Sequence, residues 1–233
     1  MDLTPLMKPK SIGVIGASQR IGRATRVIVN LQRFGYAGRI YPINPKYTEI
    51  LGLPCYPDLA STPEPPETVV VAIPGAEVPA LLATAAGRGV RGAVILSSGF
   101  GEAGPAGRER QAALERLAER GLLICGPNCY GVLNVRLGAA AFSADFAEPP
   151  RPRAVALVSQ SGGFSHALAE HLMRQLAVGL SQPRRSLTDR NRGNNGLAGR
   201  INEGVVPFVG DVDERMRAEA QRPETFPVPA GSP

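Results

Sequence analysis

Tryptophan is absent from this chain, and aromatic residues of any kind make up only 5% of it. A core must therefore be filled mainly by aliphatic side chains, and a hydrophobic fraction of 43% over 233 residues suffices for one large domain or one domain plus part of a second. Lysine is nearly missing as well, with Lys8, Lys10 and Lys46 the only three. The net charge of +6 is carried by arginines scattered through helical stretches and the C-terminal part rather than gathered in runs. A nucleic-acid surface needs clustering on one face, so no nucleic-acid partner is expected, while an anionic small ligand suits the charge. Three cysteines (Cys55, Cys125, Cys129) cannot all pair, and the Cys125/Cys129 spacing lacks a second pair of metal ligands. The two histidines, His166 and His171, lie far from them in sequence, so reduced thiols without a metal are the expectation. No apolar run reaches the ~18 residues of a membrane span. The opening MDLTPLMKPK has no signal-peptide apolar segment. A soluble, cytoplasmic protein is expected, with no membrane partner.

Short apolar runs alternate with helical patterns through the first 135 residues. SIGVIGA (11–17), RIYPIN (39–44), TVVVAI (68–73), GAVILSS (92–98) and LLICG (122–126) read as parallel strands buried on both faces. Helices are expected over 22–34, 76–88 and 105–120; in the last, Leu114, Leu117 and Ala118 make the apolar face, and Gly121 suits a left-handed cap. This alternation predicts an α/β fold, a Rossmann-like doubly wound parallel sheet with right-handed crossovers. EPPRPR (148–153) reads as a linker, after which RAVALVS (153–159), SQSGG and FSHALAEHLMRQLAVGL restart a strand–turn–helix pattern. Periodicity fades beyond residue 180, with EGVVPFVG (203–210) as one strand-like scrap. A weakly ordered tail is the reading for 181–233.

Chemistry concentrates in two glycine turns. The first, Gly13-Val-Ile-Gly16-Ala-Ser18-Gln-Arg-Ile-Gly22, falls between strand and helix, where backbone N–H groups and a helix N-terminus hold phosphate. GASQRIGRAT (16–25) resembles the loop of short-chain dehydrogenases, but three features oppose that chemistry. Arg20 stands at the middle glycine, Asn44-Pro45-Lys46 replaces an acid after the second strand, and no lysine follows Lys46 to complete a Tyr-x-x-x-Lys pair. Lys46, at the carboxyl edge of the sheet, is either a solvated surface lysine or a cation for a ribose phosphate. The second turn, Ser159-Gln160-Ser161-Gly162-Gly163, has the spacing of a hydrolase nucleophile elbow. His166 and His171 both lie on the helix that follows it, so no triad is expected, and no residue is assigned as catalytic.

Five blocks in order carry a family resemblance: GVIGAS…GR (13–23), YPINPKYTEILGLPCYPDL (41–59), VVVAIPG (69–75), ILSSGFGEAG (95–104) and GPNCYGVLN (126–134). They resemble the CoA-binding domain of nucleoside-diphosphate-forming acyl-CoA synthetases, relatives of the succinyl-CoA ligase α subunit. VALVSQSGG (155–163) is similar to the start of that family's second, flavodoxin-like domain. The resemblance implies coenzyme A or an acyl-CoA as ligand. Gly16, Ser18, Gln19, Arg20, Ile21 and Gly22 would face its diphosphate, and Lys46 its phosphate-bearing nucleotide end. Ile73 and Pro74 would pack on adenine, Ser97, Ser98 and Gly99 would line the pantetheine path, and Asn128 would lie near the thiol. Asn128 is equally well explained as a turn residue bonding its own backbone. In the family, Ser159, Ser161, Gly162 and Gly163 would form a helix turn facing a phosphohistidine, and His166 would occupy a substrate-facing position or simply a helix surface.

The expected organisation is a CoA-binding domain over 1–145, a partial succinyl-CoA-ligase-like domain over 150–180, and the tail. The phosphohistidine and ATP-grasp parts of the family are not in this sequence. The chain is thus expected to bind CoA as a fragment or subunit of such a ligase, with an ATP-grasp subunit or domain on another chain as partner. A stand-alone CoA-binding regulator and a remnant of a truncated or frame-shifted gene are the alternatives.

Overall fold

A computed structural model of the protein describes residues 2–146, 158–164 and 166–171. The expected linker, most of the strand at 153–159 and everything from 172 onward lie outside the described residues.

A short helix α1 (Thr4–Met7) precedes β1 (Ser11–Ile15), α2 (Arg23–Arg33) and β2 (Arg39–Ile43). A two-residue hairpin, β3 (Glu49–Ile50) and β4 (Leu53–Pro54), follows before β5 (Thr68–Val71). Then come α3 (Val78–Gly87), β6 (Gly92–Ile95), α4 (Gly104–Glu119) and β7 (Leu123–Cys125), and a second hairpin, β8 (Gly131–Asn134) and β9 (Ala139–Phe142).

The main sheet has five strands in the order β2-β1-β5-β6-β7, and every pairing is parallel. Successive residues of each strand point to opposite faces, and both faces are covered. Ile12, Val14, Val70 and Val94 meet α2, whose Ala24, Val27, Ile28 and Leu31 recur at helical spacing. Ile15, Val69, Val71 and Ile95 meet Val78, Leu82 and Ala85 of α3 and Leu114 of α4. Burial on both faces is why these strands read as continuous apolar runs rather than alternating ones. Each valine, leucine or isoleucine side chain so removed from water contributes about 1.5–3 kcal/mol.

The strand order reverses between β1 and β5. The chain leaves β1 toward β2 on one side and then crosses back, so the connections splay apart above the carboxyl ends of these two strands. Doubly wound sheets place their ligand crevice at that point.

Three elements were not foreseen: α1 and the two hairpins. The β2-to-β5 crossover carries the β3–β4 hairpin where a doubly wound fold usually has a helix. The β8–β9 hairpin places Ala139–Phe142, all buried, against α2. Asn30 Nδ2 donates to the carbonyls of Phe142 (2.7 Å) and Ala144 (2.8 Å), fixing that packing from inside α2. Gly121 follows α4 at φ +98, the left-handed stop expected there.

Candidate functional site

The site begins where β1 ends. Gly16 turns out of the strand at φ +86, and a Cβ on it would lie 2.4 Å from the Ala72 carbonyl oxygen. Only glycine lets the loop pass so close to the end of β5. The Ser18 N–H then donates to Thr25 Oγ1 (3.1 Å), and Thr25 Oγ1 donates back to the Ser18 carbonyl (2.8 Å). This reciprocal pair pins the loop to the first turn of α2. Gly22, the N-cap of α2, has no side chain to offer, and no acidic residue occupies the first turn. The N–H groups of Arg23, Ala24 and Thr25 precede the first helical bond, from Arg26 N to Gly22 O (2.9 Å). An 11-residue helix with such an N-terminus offers donors and a partial positive charge to an anion.

Two further walls come from the loops after β5 and β6. Ser97 Oγ donates to the Ile73 carbonyl (2.6 Å), joining them. A Cβ on Gly75 would sit 2.5 Å from the Ser98 carbonyl oxygen, so the two loops approach backbone to backbone. The Asn128 N–H donates to the Ser97 carbonyl (2.9 Å), bringing the GPNC turn alongside, and Asn128 itself adopts φ +53. Gly99 N–H donates to Glu102 Oε1 (2.7 Å), and this bond holds the Glu102 carboxyl below the usual carboxylate range. Arg110 Nε donates to the Gly99 carbonyl (2.8 Å) from α4.

These loops enclose a cleft of about 500 Å³ at the strand-order reversal. Among the residues expected at a ligand, Gly16, Ser18, Gly22, Ile73, Pro74, Ser97 and Ser98 line it. Gln19, Arg20 and Ile21 form the exposed crest of the loop between Ser18 and Gly22. Gly99 and Asn128 do not line the cleft but adjoin residues that do. Lys46 stands farther off, exposed on the loop after β2. Its amide donates to Asn44 Oδ1 (2.9 Å), and Asn44 Nδ2 donates to the Ala17 carbonyl (2.7 Å), which couples the Lys46 loop to the glycine turn.

Arg23 is the residue sequence reasoning passed over. It is the first residue of α2 and lines the cleft. Its guanidinium donates to the Leu96 carbonyl and to the Cys129 carbonyl (2.5 Å), bridging the loop after β6 to the GPNC turn. Its place directly after the N-cap glycine was the available signal.

In the second turn, Ser161 Oγ accepts the Phe164 N–H (3.3 Å) and so caps a helix covering residues 162–164 and 166–171. Ser159 Oγ donates to the Ser161 carbonyl and accepts the Ser161 N–H, both at 3.1 Å. A Cβ on Gly162 would lie 3.0 Å from the Tyr130 ring, so the turn rests against the GPNC region, while Gly163 is exposed. His166 packs edge-on against Phe146 and Tyr130, and its Nε2–H donates to the Asp145 carbonyl (2.5 Å).

A parallel sheet, a glycine turn leading into an uncapped helix, and a cleft at the strand-order reversal define a nucleotide-binding α/β domain. The family model described as a CoA-binding domain matches residues 10–135, and the chain belongs to that family. It is 41% identical over 231 residues to a trans-feruloyl-CoA synthase from an unknown prokaryotic organism, covering 95% of this chain and 31% of that one. It is 37% identical over 176 residues to the acetate–CoA ligase (ADP-forming) I subunit alpha of Pyrococcus furiosus, covering 72% and 37%. The crystal structure of PH0766 from Pyrococcus horikoshii OT3 superposes with a TM-score of 0.68 at 30% identity, covering 75% of this chain and 40% of that one. The matches span between 24% and 37% of the length of these curated relatives and of an ADP-forming acetate–CoA ligase from Archaeoglobus fulgidus. The chain is thus homologous to a part of ADP-forming acyl-CoA synthetases. Among the described residues no helix is long and apolar enough to cross a membrane, and no group of three or more His, Cys, Asp or Glu could hold a metal ion.

Proposed function

We propose that the cleft binds CoA or an acyl-CoA and that the chain serves as the CoA-binding part of an ADP-forming acyl-CoA ligase. The observation that carries this reading is the convergence of Gly16, Ser18, Gly22, Ile73, Pro74, Ser97 and Ser98 on one cleft. The first turn of α2 and the loop from Ser18 to Gly22 receive the diphosphate, with Gln19, Arg20 and Ile21 closing over it. Ile73 and Pro74 pack against the adenine, and Lys46 neutralises the ribose phosphate from the neighbouring loop. Ser97, Ser98 and Gly99 guide the pantetheine toward Asn128. The turn at Ser159, Ser161, Gly162 and Gly163 opens a helix toward a phosphoryl group, in a second unit that follows the CoA-binding domain. The phosphohistidine and ATP-grasp functions come from another part or chain, a division that a relative named as a subunit alpha supports.

Calorimetric titration of the purified chain with CoA, dephospho-CoA and NADP tests the proposal. CoA should bind, and loss of its 3′-phosphate should weaken binding about tenfold, the equivalent of about 1.4 kcal/mol. Lys46→Ala should weaken CoA by a similar factor and leave dephospho-CoA unchanged. Tighter binding of NADP than of CoA would overturn the assignment.

A further inference from the structure

We propose that Cys125 and Cys129 form a redox-active thiol pair that closes reversibly to an intrachain disulfide at the rim of the cleft. Cys125 is the last residue of β7, and Cys129 follows the three-residue turn Gly126-Pro127-Asn128. Their Sγ atoms lie 3.9 Å apart, with the Cys125 thiol donating to Cys129. Cys129 Sγ also faces the carbonyls of Ile95 (3.4 Å) and Cys125 (3.6 Å). Closing the pair takes the sulfurs from 3.9 Å to the ~2.05 Å of a disulfide. Both residues are half-buried and pack against the edge of the core.

The two thiols are not equivalent. The bond from Cys125 stabilises the Cys129 thiolate, the Arg23 guanidinium adds its charge, and together they outweigh burial, so Cys129 ionises below an ordinary thiol. Cys125 is pushed up by the same bond and by burial. Cys129 is therefore the attacking sulfur and Cys125 the resolving one. The third thiol, Cys55, is buried, donates to the Asn44 carbonyl (3.6 Å) and is pushed up by desolvation, which makes it an internal control.

The oxidant is a low-molecular-weight disulfide, R–S–S–R. The Cys129 thiolate attacks one of its sulfurs, forms a mixed disulfide and expels one thiolate. Cys125 then gives its proton to water and attacks Cys129 Sγ, expelling the second thiolate. Two protein thiols are oxidised, one small disulfide is reduced, and two small thiols leave. The assignment does not depend on what occupies the cleft.

Cleavage after arginine and lysine isolates residues 121–136 as one peptide holding both cysteines, with Cys55 on a separate peptide, 47–88. The full-length native chain, incubated with glutathione disulfide, should lose two of its three free thiols. Peptide 121–136 should then resist alkylation and be lighter by two hydrogens, and dithiothreitol should restore it. In Cys125→Ser the reaction should stop at a glutathione adduct on Cys129. In Cys129→Ser adduct formation on Cys125 should be at least about tenfold slower. Wild-type peptide 121–136 that stays fully alkylatable, or that carries glutathione without closing, overturns the proposal. So does loss of the Cys55 thiol in place of these two.

Discussion

Gly16 shows how one residue type fixes the start of the cleft. An alanine there would need φ +86 and a Cβ 2.4 Å from the Ala72 carbonyl oxygen, so the end of β1 or of β5 must move. Gly16→Ala is expected to cost about 2 kcal/mol or more, read as a lower urea midpoint at unchanged slope. Glu102 works through charge. Its carboxylate accepts the Gly99 N–H, so its folded pKa is depressed and its contribution is present above the unfolded value. Wild type should therefore be more stable than Glu102→Gln at neutral pH, and the difference should shrink as pH falls through the carboxylate range; a gap constant down to pH ~3 would contradict this. The glycine turn was legible because a strand, spaced glycines and a helix leave few other uses. Arg23 was not, because its acceptors, Leu96 and Cys129, lie 73 and 106 residues away.

At the scale of elements, the strands of the main sheet were readable because burial on both faces makes each one a nearly continuous apolar run. Their observed ends fall a residue or more short of the expected ones at the carboxyl side, where the chain leaves the sheet to build the cleft. β9 carried no such signal. Its three alanines have little intrinsic strand preference, and pairing with β8 together with packing on α2 makes the segment a strand. Phe146 continues that contact: it is 2% exposed and lies among the rings of Phe34, Phe142 and His166. Phe146→Ala should destabilise the protein by about 3 kcal/mol, measured by denaturant unfolding. A loss below about 1 kcal/mol would mean that this segment does not hold the hairpin to α2.

The unit that folds and binds runs from the N-terminal helix through residue 146. The face of the sheet under α2 is closed only when the β8–β9 hairpin and the residues after it are in place. Arg33 Nη1 donates to the Phe146 carbonyl (2.6 Å), and Arg26 pairs with Asp145 (2.5 Å), so α2 is tied to the chain through residue 146. A cut at residue 136 would expose the part of α2 that β9 covers and strand the Asn30 amide, which is fully buried. The cleft itself is built from residues 16–98, with the GPNC turn beside it. A chain of residues 1–146 should therefore unfold in one cooperative transition and bind CoA within about twofold of the full chain, a difference under about 0.5 kcal/mol. A chain of residues 1–136 should fail to give that transition. If 1–146 folds cooperatively yet binds CoA more than about tenfold weaker, then residues beyond 146 contribute to the ligand site, and the cleft described here is only part of it.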